Sequence, residues 1–336
     1  MPAIILKKFS KANLHLPDSQ GIVTNMPPLV SICIPNYNKA GFIEECIESV
    51  YRQTYRNIEL FIIDDGSTDN SVAIIKNKIS NGPFKTTLLQ NEKNSGICYS
   101  LNNALKIASG KYYQMLGSDD LILPGKIASQ VAIFESLPEE YAIVFGKSYR
   151  MDEAGNYLED DYYQSIDVDT SKLKHAGFED LLSINFISSC AHLVKFAAIV
   201  EAGMYDESLR VEDWDLWLRI AKKYKVLFIN EYDSVYRIVN SSLTHNLKNF
   251  ADVYTTYCKT LLKHLDYSPT GNRNIARNIG LMSLVVYKYD GQHAKELLKK
   301  SFQLNRNPKS FILLVSSYFG LQYRFLKTLT FSKKHR

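Results

Sequence analysis

Past Pro28 the apolar residues recur in two alternating rhythms. Val30 to Ile34 is an unbroken apolar run, which predicts a strand buried on both faces. Ile58 to Ile63 is a second such run, ending at Asp64-Asp65-Gly66-Ser67. Thr86 to Gln90 and Lys111 to Leu116 predict a third and a fourth strand. Between them, Phe42, Ile43, Cys46, Ile47 and Val50 share one helical stripe. Val72 to Ile79 and the set Leu101, Ala104, Leu105 and Ala108 mark two more helices. Strand and helix alternating through short loops predict an α/β fold: a mostly parallel, Rossmann-like sheet flanked by helices. Ligands of such sheets bind beyond the carboxyl ends of the strands. The segments Pro35 to Asn38, Asp64 to Ser67 and Ser118 to Asp120 all fall there.

The pattern loosens further on. Ala142 to Gly146 predicts a strand, and Met151 to Ser171 is acidic and irregular, which predicts a solvated loop or a lid. Phe186 to Val194 predicts another strand, a helix opens near Glu212, and two strands follow at Val226 to Ile229 and Ser234 to Ile238. From Leu247 the character is helical, with punctuation at Pro269-Thr270-Gly271, Asp290-Gly291 and Pro308. The predicted organisation is an N-terminal extension over 1–28, ending in Met26-Pro27-Pro28, a sheet domain over 29–246, and a helical C-terminal region over 247–336.

Composition narrows the class. The chain is 46% hydrophobic and 22% charged, as in an ordinary globular protein. A net charge of +5 is too small to argue for nucleic acid. Cys33, Cys46, Cys98, Cys190 and Cys258 are scattered and lack metal-ligand spacing, so they read as reduced core residues. No apolar run is long enough for a membrane span, and Ile4-Ile5-Leu6 is too short for a signal peptide. A cytoplasmic protein is the expectation.

Three acidic clusters carry the candidate chemistry. Asp119-Asp120 closes an apolar strand, where two carboxylates are costly without a counter-charge. Mn²⁺ or Mg²⁺ supplies one and shares its remaining sites with phosphates. With Asp64-Asp65 and Glu212-Asp213, the pair points to an enzyme handling a metal-bound diphosphate. One of Asp64 and Asp65 also suits a helix cap, as Asn38 does. A simple helix cap is the alternative for Asp213, and the Glu212-Asp213-Trp214 spacing, the upstream Gly203 to Glu207 turn and Tyr236-Arg237 downstream argue against it.

The order of the motifs is more specific than any one of them. Val-Ser-Ile-Cys-Ile-Pro-Asn-Tyr-Asn runs from Val30, and Ile-Ile-Asp-Asp-Gly-Ser-Thr-Asp from Ile62. Ser-Asp-Asp follows from Ser118, and Glu-Asp-Trp-Asp-Leu-Trp-Leu-Arg from Glu212. This set resembles family 2 glycosyltransferases of the GT-A type over roughly residues 29–245.

The resemblance implies transfer of one sugar, with inversion, from a nucleotide-diphosphate sugar, commonly UDP-linked, to a glycan or lipid-linked acceptor in surface polysaccharide synthesis. By the same resemblance, Pro35, Asn36 and Tyr37 pack along base and ribose, and Asp65 accepts from the base. Asn94 and Gly96 belong to a donor-facing loop, whereas Asn102 reads as a solvated amide. Asp120 holds Mn²⁺ or Mg²⁺, and Asp119 the ribose or a metal-bound water. Asp213 is the catalytic base, favoured in its ionised form by a helix start, with Glu212 and Asp215 as alternatives. Arg237 pairs with phosphate, and His245 is a third metal ligand or a phosphate contact, with a surface histidine equally open. Many relatives carry a further acid where this chain has Gly117. The Gln-x-x-Arg-Trp motif and spanning helices of polymerising relatives are absent, which favours non-processive action.

Two other classes compete. A nucleotidyltransferase would carry a glycine-rich loop after its first strand, and Pro35-Asn36-Tyr37-Asn38-Lys39 has no glycine. No G-x-G-x-x-G follows that strand, which argues against NAD. A non-catalytic sugar-binding scaffold would not need all these acids. Beyond Glu296 no acidic residue occurs, while Lys299, Lys300, Arg306, Lys309, Arg324 and Lys327 are interleaved with Phe311 to Val315. Such a tail suits peripheral contact with an anionic membrane surface, or a small helical domain with a solvated basic end.

Overall fold

A computed structural model of the chain describes residues 26–243, 249–306 and 308–318. His245, the boundary expected near Leu247 and the basic positions from Arg324 onward lie outside the described residues.

The first half follows the rhythm of the sequence. Strands β1 (Val30–Asn36), β2 (Ile58–Asp64), β3 (Lys85–Gln90) and β4 (Tyr112–Met115) alternate with helices α1 (Ile43–Tyr51), α2 (Ser71–Ile79) and α3 (Ile97–Leu105). β1 pairs in parallel with β2 and β4, and β2 with β3. Successive residues of a strand point to opposite faces, so β1 and β2 feed two cores. Val30, Ile32, Ile34, Leu60 and Ile62 pack under α1 and α2. Cys33, Phe61 and Ile63 pack on the other side with α3. All five cysteines are buried and free.

Past β4 the sheet becomes mixed. After β5 (Leu121–Ile122) and α4 (Lys126–Ser136) come β6 (Tyr141–Met151), β7 (Tyr157–Asp161), α5 (Tyr162–Ser165), α6 (Phe178–Leu181), β8 (His192–Lys195), α7 (Phe196–Glu201), α8 (Asp213–Ala221) and β9 (Lys225–Arg237). The strand order is β3-β2-β1-β4-β8-β6-β9-β5, with β7 on β6. β8 is antiparallel to both β4 and β6, and joins the parallel half to the rest. Helices α9 (Phe250–Leu262), α10 (Pro269–Tyr287), α11 (Gly291–Leu304) and α12 (Pro308–Tyr318) follow. Cys258, Leu261, Ile275 and Ile279 of α9 and α10 share the core that holds α3 and α8, so these helices pack onto the sheet.

Three expectations are corrected here. The acidic stretch from Met151 to Ser171 carries β7 and α5 where a solvated loop is one expectation, because its aromatics anchor it: buried Tyr163 donates to the Gly146 carbonyl at 2.9 Å. Among its acids, Asp161 caps α5 in a reciprocal box with Gln164. The strand expected over Phe186 to Val194 is confined to β8, since Phe186, Ile187 and Cys190 fill the core outside any strand. The two strands expected at 226–229 and 234–238 are one, β9, whose register shifts along β6 break its apolar rhythm.

Candidate active site

A cleft of about 1600 Å³ opens beyond the carboxyl ends of β1 and β4. Pro35, Asn36, Tyr37, Asp65, Asn94, Gly96, Asp119, Asp120, Asp213 and Arg237 all line it. Residues far apart in the sequence thus face one space.

One end is built from the β1, β2 and β3 loops. Buried Asn36 donates to Asp64 Oδ1 at 2.8 Å, and Ser67 N–H donates to Asp64 Oδ2 at 3.0 Å. Asp65 Oδ1 accepts from Asn91 Nδ2 and Ser95 N, both at 2.8 Å, and Oδ2 accepts from Gly96 N at 2.9 Å. Neither aspartate caps α2, whose first N–H is met by Asp69 instead. Asn38 is likewise no helix cap: it sits at φ 52° and its side-chain oxygen accepts from Thr68 N at 2.8 Å. Gly66 is at φ +72°, with Lys93 backbone 2.6 Å from where a Cβ would stand, so only glycine lets the two loops meet. Tyr37 is 43% exposed and lines the cleft.

In the middle stand Asp119 and Asp120. Asp119 Oδ2 accepts from Lys39 Nζ and from Ser242 Oγ, each at 2.7 Å. Asp120 Oδ1 accepts from Arg237 N at 2.9 Å, and Ser189 Oγ lies 3.4 Å from Oδ2. Burial, then the charge of Asp119, pushes the Asp120 carboxyl well above its ordinary range. The Arg237 side chain is committed elsewhere. Its Nε donates to the Asp119 carbonyl at 2.9 Å, its Nη2 pairs with Glu45, and its guanidinium lies over the Phe42 ring. Arg237 thereby braces the aspartate loop.

Among the described residues no group of three or more His, Cys, Asp and Glu is arranged to hold a metal. The pair still fits a hard cation. Asp120 is a desolvated carboxylate that calls for counter-charge, and Mg²⁺-type sites use one or two carboxylates completed by substrate phosphates and water.

The far end is set by α8. Asp213 Oδ1 accepts from Trp214 N at 2.6 Å, and Oδ2 accepts from Asn185 Nδ2 at 2.9 Å. Burial raises the Asp213 carboxyl despite these two donors, so desolvation outweighs the helix-start effect expected from the sequence. Burial and the neighbouring Asp213 charge push Glu212 up to about 8. Asp215 faces away, buried and paired with Arg219 and Lys263. Trp214 donates from Nε1 to the Leu181 carbonyl at 2.8 Å and meets Tyr257 edge-on.

The family model for glycosyl transferase family 2 matches residues 31–201, half of the chain. The chain belongs to that family. An uncharacterised glycosyltransferase of Rickettsia typhi is 32% identical over 239 residues, covering 71% of this chain and 73% of that protein. The structure of S. aureus TarS 1-349 in complex with UDP-GlcNAc superposes with a TM-score of 0.64 at 16% identity, covering 90% of both chains. A mannosyltransferase from Pyrobaculum calidifontis, solved with GDP-Man and Mn²⁺, gives 0.60 at 16%, covering 91% of this chain and 84% of its own. This family 2 glycosyltransferase therefore has the GT-A fold.

Several residues in and behind the cleft escape sequence reasoning. Asn102 is buried rather than solvated: it bonds Tyr205 N and O and Glu207, tying α3 to the turn before α8. Lys39, Asn185, Ser189 and Ser242 are single polar residues in loops, and only the fold brings them to the acids.

Proposed function

We propose that this glycosyltransferase moves one sugar, with inversion, from a UDP-linked donor to a hydroxyl of a glycan or lipid-linked acceptor in surface polysaccharide synthesis. One observation carries the reading: Asp65, the Asp119-Asp120 pair and Asp213 line a single cleft. Tyr37 stacks on the base, and Asp65, which keeps acceptor capacity beyond its three donors, takes the base N–H. Asn36, Asn94 and Gly96 line the same end. Asp120, assisted by Asp119, would hold Mn²⁺ or Mg²⁺, which supplies charge neutralisation for the departing diphosphate.

Asp213 accepts the proton of the acceptor hydroxyl as that oxygen bonds the anomeric carbon. The bond from that carbon to the diphosphate oxygen breaks, and the electron pair leaves with the nucleoside diphosphate. Trp214 N–H and Asn185 fix the carboxylate during the step. The raised carboxyl pKa makes Asp213 a stronger base than an ordinary aspartate. Asp213→Asn is expected to bind UDP normally and lose transfer by a factor of about 10³. Near-normal turnover in that variant would remove Asp213 as the base.

Among the described residues no helix is long and apolar enough to cross a membrane. Exposed Phe311 and Ile312 on α12 support a peripheral contact with an anionic membrane surface. Flotation with anionic liposomes tests it: truncation after Pro308 should abolish binding, and unchanged flotation would sink it.

A further inference from the structure

Helix α10 turns one face to the cleft. Asn274, Arg277, Asn278, Leu281 and Met282 all line it. Their spacing follows the helical repeat, so they form a single stripe. Ile275 and Ile279, on the other side, belong to the core. The helix is pinned beside Asp213. Asn278 Nδ2 donates to the carbonyls of Leu182 and Ser183 at 2.7 and 2.8 Å. Two residues further, Asn185 orients Asp213. A group held on this stripe is therefore held next to the loop that positions the base.

The cations of the cleft are unevenly committed. Lys39 pairs with Asp119, and Arg237 with Glu45. Arg277 is exposed in the cleft and has no hydrogen-bond or ion-pair partner among the described residues. Arg210 also lines the cleft, and its pair with Asp252 is loose, at 3.4 Å between two exposed side chains. Such an exposed pair contributes little and exchanges readily. Available positive charge thus lies on α10 at Arg277 and, ahead of α8, at Arg210, in guanidinium groups whose planar fork matches an oxyanion. Leu281 and Met282 continue the stripe with apolar surface for a carbon skeleton.

Resting on the sugar-transfer reading above, we propose that α10 is the acceptor wall and that Arg277, with Arg210, holds an oxyanion carried by the acceptor, a phosphate or a carboxylate. The full chain, with UDP and Mn²⁺ present, is titrated calorimetrically with glucose 6-phosphate, glucuronate and glucose. An anionic sugar should bind more tightly than glucose, and Arg277→Gln should weaken it about tenfold, the worth of one charge-assisted hydrogen bond. Preference for glucose 6-phosphate assigns a phosphate, and preference for glucuronate a carboxylate. Equal binding of glucose and both anions overturns the proposal, as does an anion affinity that survives in the Arg210→Gln/Arg277→Gln double variant. A UDP titration of each protein separates the two levels. Binding of UDP without selective binding of an anion overturns the acceptor proposal alone, whereas absence of UDP binding overturns the sugar-transfer reading with it.

Discussion

Asp65→Asn tests how the proposed donor end of the cleft is built. The carboxylate is 5% exposed and takes three donors, one from Asn91 and two from the backbone of Ser95 and Gly96. An amide offers one oxygen and turns an NH₂ toward at least one of those donors. Hydrogen bonds to a charged acceptor are worth about 1.5–3 kcal/mol each, and little water is present to substitute. Losing one and weakening another costs about 3 kcal/mol. Each kcal/mol lowers the melting temperature of a domain of roughly 150–250 residues by about 2–4 °C, so a fall of about 6–12 °C is expected. If the loop from Asn91 to Gly96 is released locally instead, the loss falls on UDP affinity, up to about 100-fold. Differential scanning calorimetry and UDP titration are read together. A variant with wild-type melting temperature and wild-type UDP affinity refutes the account.

Gly117→Ala should weaken metal-dependent UDP binding, because the added Cβ would stand 2.9 Å from Asp120 Oδ2 and 3.3 Å from Asp119 Oδ1; titration of UDP with and without Mn²⁺ checks it, and an unchanged Mn²⁺ effect counts against a shared role for the pair. Stability should fall as pH rises from about 4.5 to 8, since folded Glu212, raised from 4.5 to about 8, keeps a proton that the unfolded chain releases. Denaturant titrations at both ends of that window should show a smaller decline for Glu212→Gln, and equal declines would refute the assignment.

The sequence determined the parallel half of this protein and most of its acids. Apolar runs such as Val30 to Ile34 and Ile58 to Ile63 can be satisfied only by burial on both faces, and their helices repeat every three to four residues. Asp65, Asp119, Asp120 and Asp213 were legible because each sits at the end of such an element, beside turn residues. Tertiary structure decided what those acids touch. Asp213 is oriented by Asn185, and Asp119 by Lys39 and Ser242, and no local pattern joins residues so far apart. It also decided the ordering of 151–171, where Tyr163 outweighs the surrounding charge by burying its ring and bonding Gly146. Finally, it placed α10 against the cleft, because a helix registers only its own amphipathic stripe, and the partner of its polar face is set by packing.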